Sequence, residues 1–218
     1  MINPKFLYWI IIVCGYLLGS VMFSKEIPLL LGYGDITEKS NDMNPGASNV
    51  FKNCGIPCGI ACLFCDMLKG FLPVFIANFL FGIDSVRFAL VMLAPVLGHA
   101  FPIMNHLKGG KCIATSFGVL IGCFPSSYIG FLLAGLYIFF SVFIKINPHR
   151  MRSIVTFLLF AIFAPLILHY FHQPYVALGC ILISAVAILK HTKIFVPDAD
   201  AEKQSANNDS AATQPKSI

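Results

Sequence analysis

CIATSFGVLIGCFPSSYIGFLLAGLYIFFSVFI, residues 112–144, contains no Asp, Glu, Lys or Arg. A helix rises about 1.5 Å per residue, so about 20 residues cross a hydrocarbon core of about 30 Å. The stretch is too long for one untilted pass, and Phe124-Pro125-Ser126-Ser127 offers a turn between two. This predicts helices over 112–124 and 128–144, the first of them short enough to read as a candidate half-helix. Residues 153–189 are also uncharged, and His169, His172 and Pro174 mark a break between helices over 153–171 and 174–190. Apolar runs at 6–23, 56–82 and 86–104 bring the expected passes to about seven.

Composition agrees with that reading. Hydrophobic residues make up 57% of the 218 positions and charged residues 11%, with mean hydropathy +0.80. A soluble domain keeps about a quarter of its residues charged. Too little polar surface is present to wrap a water-soluble globule, so the expected fold class is an all-α integral membrane protein. The run Phe6–Phe23 exceeds a signal-peptide core and lacks a small-x-small cleavage site, which predicts a retained first span. Residues 1–196 read as one polytopic membrane domain. Residues 197–218, rich in Ala, Ser, Asn and Lys, read as a disordered cytoplasmic tail.

Basic residues set the sidedness. With seven passes and an outside N-terminus, the inside segments hold Lys25, Lys39, Lys52, Lys108, Lys111, Lys145, Arg150, Arg152, Lys190, Lys193, Lys203 and Lys216. The outside holds only Lys5 and Arg87, and Lys69 falls within a pass. Twelve against two is a strong positive-inside bias, and it places the C-terminus in the cytoplasm.

Eight cysteines raise the question of a metal. Cys54, Cys58, Cys62 and Cys65 fall on one helical stripe. Ligands along one stripe do not readily surround a tetrahedral ion, so they are read as small apolar packing residues. The pairs Gly15/Gly19, Gly55/Gly59 and Gly118/Gly122 are read as sites of close helix packing.

Chemistry gathers in two inside loops. In Asn44-Pro45-Gly46-Ala47-Ser48-Asn49-Val50, Pro and Gly make a rigid turn, flanked by the hydrogen-bonding groups of Asn44, Ser48 and Asn49. A structured turn alone explains this equally well. The second loop joins Gly98-His99-Ala100-Phe101-Pro102 to Lys108-Gly109-Gly110-Lys111-Cys112-Ile113-Ala114-Thr115. Paired glycines let a tight backbone aim N–H groups at an anion, and the following helix start adds more of them. Lys108 and Lys111 supply charge, and Thr115 a hydroxyl. That set suits a phosphate, although two basic residues flanking a flexible turn would look the same. The spacing is not that of a nucleotide-hydrolysing P-loop. Asp66 and Lys69, three apart within a pass, are either a structural pair or part of a substrate site.

Five motifs, in order, carry a resemblance: Gly15-Tyr16-Leu17-Leu18-Gly19-Ser20, Asn44–Asn49, Asp66-x-x-Lys69-Gly70, Gly98-His99-x-Phe101-Pro102, and Lys108-Gly109-Gly110-Lys111-x-x-Ala114-Thr115. From about residue 12 to 122 the chain resembles the bacterial glycerol-3-phosphate acyltransferases that use acyl phosphate. The resemblance implies a seven-helix protein of the bacterial cytoplasmic membrane with its site on the cytoplasmic face. It implies acyl transfer from acyl phosphate to glycerol 3-phosphate, giving lysophosphatidic acid and phosphate, the first step of phospholipid synthesis. No metal, nucleotide or other cofactor is implied, and no nucleic-acid partner.

By this resemblance the Asn44–Asn49 and Lys108–Thr115 loops line the site, with Ser20, Lys69 and His99 nearby. Asn44, His99, Lys111 and Asp42 are the catalytic candidates. Ser20, Ser48, Asn49, Lys52, Lys69, Lys108, Gly109, Gly110 and Thr115 are the substrate- or phosphate-binding candidates. The chain departs from the family pattern in several places. Asp35-Ile36-Thr37 replaces Asp-Ile-Arg, Asn41-Asp42-Met43 replaces Gly-Ser-Gly with its catalytic serine, and Lys52 replaces an arginine. Of the third motif near the C-terminus only His191 remains. Asp42 either pairs with Lys39 or Lys52 or serves as a base. Two other functions stay open: a binding protein or transporter for a phosphorylated solute, and a relative without catalysis. Uncharged residues throughout 112–144 and 153–189 argue against a hydrophilic conduit.

Overall fold

The computed structural model describes residues 4–40 and 44–192. Asp42 and the tail expected at 197–218 lie outside the described residues. Helix α1 (Pro4–Ser20) is followed, across Val21 and Met22, by α2 (Phe23–Leu30) at a bend of 48°. The first apolar run was expected to be one helix. The chain instead breaks after Ser20, and the freed Val21 carbonyl accepts the Lys69 ammonium at 2.6 Å.

Short α3 (Ile36–Lys39) is capped by Asp35, whose carboxylate accepts the Thr37 N–H at 2.9 Å. Burial pushes the Asp35 carboxyl up. The Thr37 hydroxyl and N–H, with Lys25 at 3.4 Å, outweigh this and hold it below its ordinary value. Helix α4 (Ala47–Cys54) ends at Gly55, whose φ of +83° turns the chain directly into α5 (Ile56–Phe81). An L-residue with a Cβ seldom adopts that conformation, which accounts for the glycine. Nothing lies within 4 Å of a Cβ built there, so Gly55 serves the turn rather than the helix packing expected of it. The same turn corrects the cysteine stripe. Cys54 closes α4 while Cys58, Cys62 and Cys65 lie on α5. Cys54, Cys58 and Cys62 are buried with Ile36 and Val50 in a small second core.

Then follow α6 (Val86–Ala100), a 3-10 turn at Ile103–Asn105 and α7 (Ile113–Gly122). Next come α8 (Gly130–Ile138), continued by a π turn over Phe139–Phe143, then α9 (His149–Tyr170) and α10 (Pro174–Lys190). No strand occurs among the described residues. Each of the seven expected apolar stretches holds a helix. Three are long and apolar enough to cross a membrane, a fourth if the bent α1–α2 pair counts as one, and three more have 10–17 residues.

The shortness of α7 has a physical cause. A buried helix end needs partners for its last carbonyls. Asn78 of α5 supplies them, its amide lying 3.3 Å from the Gly122 carbonyl and 3.0 Å from that of Cys123. Ser126 in turn donates to Asn78 Oδ1 at 2.8 Å.

Helix α5 packs along α7, α1 along α6, and α10 against both α9 and α6. Glycines set the closest crossings. A Cβ on Gly118 would meet the Met67 carbonyl, and one on Gly19 the Pro95 carbonyl. Small residues at such places let backbones approach where lipid provides no hydrophobic drive. Outward-facing Trp9, Phe79, Phe131, Phe143 and Leu166 are exposed, as expected of a surface bathed in lipid.

Candidate active site

One end of the bundle encloses a cavity of about 730 Å³. One wall is the Asn44 turn with the start of α4. The Asn49 side-chain amide donates to the Asn44 carbonyl at 2.8 Å, which closes the turn. Ala47 and Ser48 begin α4 and line the cavity. The Asn49 and Val50 N–H groups turn back onto the Gly46 carbonyl, so the donors a helix start leaves over are those of its first two residues, Ala47 and Ser48. Lys52, one turn further along, lines it too.

The floor comes from α5 and α6. Asp66 lines the cavity, with Oδ1 2.9 Å from Lys69 Nζ and Oδ2 accepting from Ser24 at 2.7 Å. His99 lies in the last turn of α6, and its Nδ1 is 3.9 Å from Asp66 Oδ1 with no hydrogen-bond partner. The loop after α6 folds back on that histidine. The Gly110 N–H donates to the His99 carbonyl at 3.0 Å, and a Cβ on Gly110 would strike the imidazole Nε2. The same loop is pinned from outside. Tyr16 donates to the Phe101 carbonyl at 2.9 Å, Lys190 sits 5.1 Å from the Phe101 ring centre, and Lys25 reaches Asn105 at 3.2 Å.

From α7 come Lys111, just before the helix, and then Ile113, Ala114 and Phe117. The remaining wall is the start of α9, His149 and Arg150. Helix α10 connects these parts. His191, just after it, is buried, donates from Nδ1 to the Ala187 carbonyl at 2.7 Å, and lies in the field of Lys111, His149 and Arg150. Burial, aided by those three charges and opposed by the Ala187 hydrogen bond, holds the His191 pKa down to about 4, so its ring is neutral at neutral pH.

Of the candidates read from sequence, the fold gathers Asn44, Ser48, Asn49, Lys52, His99 and Lys111 around this one cavity. Others lie elsewhere. Ser20 is buried and donates to the Tyr16 carbonyl. Lys69 lies beneath the cavity, its ammonium held by Asp66 and Val21. The Gly110 amide, expected to face an anion, is taken up by the His99 carbonyl. Gly109 packs against the His99 backbone, Lys108 is exposed, and Thr115 is buried where α7 crosses Gly70. Sequence reasoning did not single out His149 and Arg150, which line the cavity but carry no motif, and read Arg150 only as an inside charge. It also missed the apolar wall of Leu63, Met67 and Phe117. A site with cationic and amide donors beside an apolar wall accommodates a phosphorylated molecule bearing a hydrocarbon chain. No group of three or more His, Cys, Asp or Glu able to hold a metal ion occurs among the described residues.

The family described as glycerol-3-phosphate acyltransferase matches residues 9–196. A glycerol-3-phosphate acyltransferase of Shewanella woodyi is 36% identical over 180 residues, 83% of this chain and 84% of that protein. Two crystal structures of an integral membrane glycerol 3-phosphate acyltransferase are also similar. Its glycerol 3-phosphate form matches with TM-score 0.72 and 29% identity, covering 97% of this chain and 96% of that one. Its lysophosphatidic acid form matches with TM-score 0.71 and 33% identity, covering 85% and 88%.

Proposed function

The chain belongs to the glycerol-3-phosphate acyltransferase family, and from that premise we propose that its cavity passes a fatty acyl group from acyl phosphate to the 1-hydroxyl of glycerol 3-phosphate. The products are lysophosphatidic acid and phosphate, in phospholipid synthesis. One observation carries the reading. Lys52, Lys111, Arg150 and Asn44 share a single cavity with the apolar side chains of Leu63, Met67 and Phe117. Both substrates bear a phosphoryl group, and one bears a long chain.

The glycerol oxygen forms a bond to the acyl carbonyl carbon while the bond from that carbon to the phosphate oxygen breaks. The hydroxyl proton leaves with the phosphate. A phosphate second pKa of about 6 allows a phosphoryl oxygen to accept that proton, so no protein base is required. The residues then act by holding both substrates in line, which is worth several orders of magnitude in rate. Lys111 and Asn44 bear on the reacting groups. Lys52, Ser48 and Asn49 hold phosphoryl oxygens, and His99 steadies the Gly110 turn from beneath.

The same reading has seven passes in the bacterial cytoplasmic membrane, with the N-terminus outside and the C-terminus inside. Twelve basic residues against two support it, and Lys52, Lys111 and Arg150 all fall in segments assigned to the inside. Single-cysteine labelling with an impermeant reagent, in a cysteine-free background, tests the sidedness. Labelling from outside sealed cells in both the 36–46 and 105–110 loops would overturn it. The activity is tested by supplying purified protein with acyl phosphate and glycerol 3-phosphate. Release of phosphate matched by lysophosphatidic acid is expected, and absence of both rejects the assignment.

A further inference from the structure

Two phosphorylated substrates must occupy one cavity of about 730 Å³ together. A phosphate monoester carries about −1.5 to −2 charge at pH 7. The cavity's charged lining is Lys52, Lys111, Arg150 and Asp66, and Asp66 is already matched by Lys69 at 2.9 Å. The net lining charge is therefore positive and comes from three separate elements: α4, the loop before α7, and the start of α9.

The three cations are not equivalent. A lysine presents a hydrated point charge, whereas a guanidinium sets two parallel N–H groups on adjacent phosphoryl oxygens. Arg150 is the one guanidinium among the residues that line the cavity, and Arg87 and Arg152 are not among them. Helix α10 joins α9 to α6, and the buried His191 ring lies within the field of both Lys111 and Arg150. Residues about forty apart in sequence thus present their charges to one wall.

We propose that Arg150 is a phosphoryl-binding residue of this cavity, its guanidinium taking the phosphate oxygens of one of the two substrates. The proposal rests on the acyl-transfer reading for the identity of its ligands, but not for its first test. That test uses the wild-type protein in detergent with phenylglyoxal, in inorganic phosphate or in chloride of equal ionic strength, and reads each arginine by peptide mass spectrometry. Phosphate should slow modification of Arg150 several-fold while leaving Arg87 and Arg152 unchanged. Equal rates at Arg150 in phosphate and chloride would overturn the proposal, whether or not the protein transfers acyl groups.

The second test compares Arg150→Lys and Arg150→Gln with wild type. Loss of a charge-assisted contact should raise KM for one substrate by roughly ten- to hundredfold, with the lysine variant intermediate. A rise for acyl phosphate places Arg150 on the donor, and a rise for glycerol 3-phosphate places it on the acceptor. Both KM values unchanged in variants that melt like wild type would also overturn it. A wild-type protein that forms no lysophosphatidic acid, yet shows phosphate protection at Arg150, would reject the acyl-transfer reading and leave the phosphoryl site standing.

Discussion

Lys69 Nζ stands 2.9 Å from Asp66 Oδ1 and also donates to the Val21 carbonyl at 2.6 Å, so one ammonium ties α5 to the break between α1 and α2. Both side chains are buried, and Ser24 of α2 donates to the other carboxylate oxygen, Oδ2, at 2.7 Å. Backbone carbonyls freed inside a membrane protein need partners, and charges buried there need counter-charges. This pair meets both needs at the cavity floor.

Lys69→Met should therefore destabilise the protein by about 3–5 kcal/mol, the cost of leaving one member of a buried pair alone. Adding Asp66→Asn should recover part of that loss. Thermal unfolding in detergent checks both, and a single variant as stable as wild type would contradict the pairing role.

Gly110→Ala places a methyl group where the His99 imidazole already lies. Either the ring or the loop must move, and displacement of a positioning group by about 1 Å can cost about a hundredfold in rate. We expect kcat/KM to fall by at least about tenfold with Tm nearly kept. Unchanged kcat/KM would separate the loop from the site.

Gly118→Ala should lower stability by about 1–3 kcal/mol, since its methyl would press on the Met67 carbonyl and push α7 from α5. Gly135→Ala is the control. It lies within α8 with nothing within 4 Å of the new Cβ, and alanine is the better helix former by about 1 kcal/mol. Unfolding of the two variants side by side should show opposite signs.

His191 gives a pH dependence of stability. Its pKa falls from 6.5 to about 4 on folding, so the unfolded chain binds the extra proton between those values. The contribution of the neutral buried ring is complete above pH 6.5 and is lost progressively as pH falls toward 4. Melting temperature measured across that window should drop in wild type and drop less in His191→Gln. Parallel curves would remove His191 as the titrating group.

The sequence by itself determined the solvent, the helix pattern and two loops whose residues meet at the cavity. Uncharged runs such as 112–144 and 153–189 are incompatible with a water-soluble globule, and breaks at Phe124-Pro125 and Pro174 divide them correctly because helix-ending chemistry is local. Asn44, Ser48, Asn49 and Lys111 were legible because each belongs to a short segment whose glycines and prolines set a turn within itself. Only the tertiary structure decided which groups face the cavity. Gly110 looked like an anion-binding amide until the fold matched its N–H to the His99 carbonyl, a partner eleven residues earlier. Lys69 looked available until the break after Ser20 exposed the Val21 carbonyl to it. Arg150 looked like one more inside charge until α10 brought α9 to α6. Periodicity and turn chemistry act over a few residues and survive in a linear reading, whereas a hydrogen-bond partner or a cavity wall is assigned by packing between helices distant in sequence.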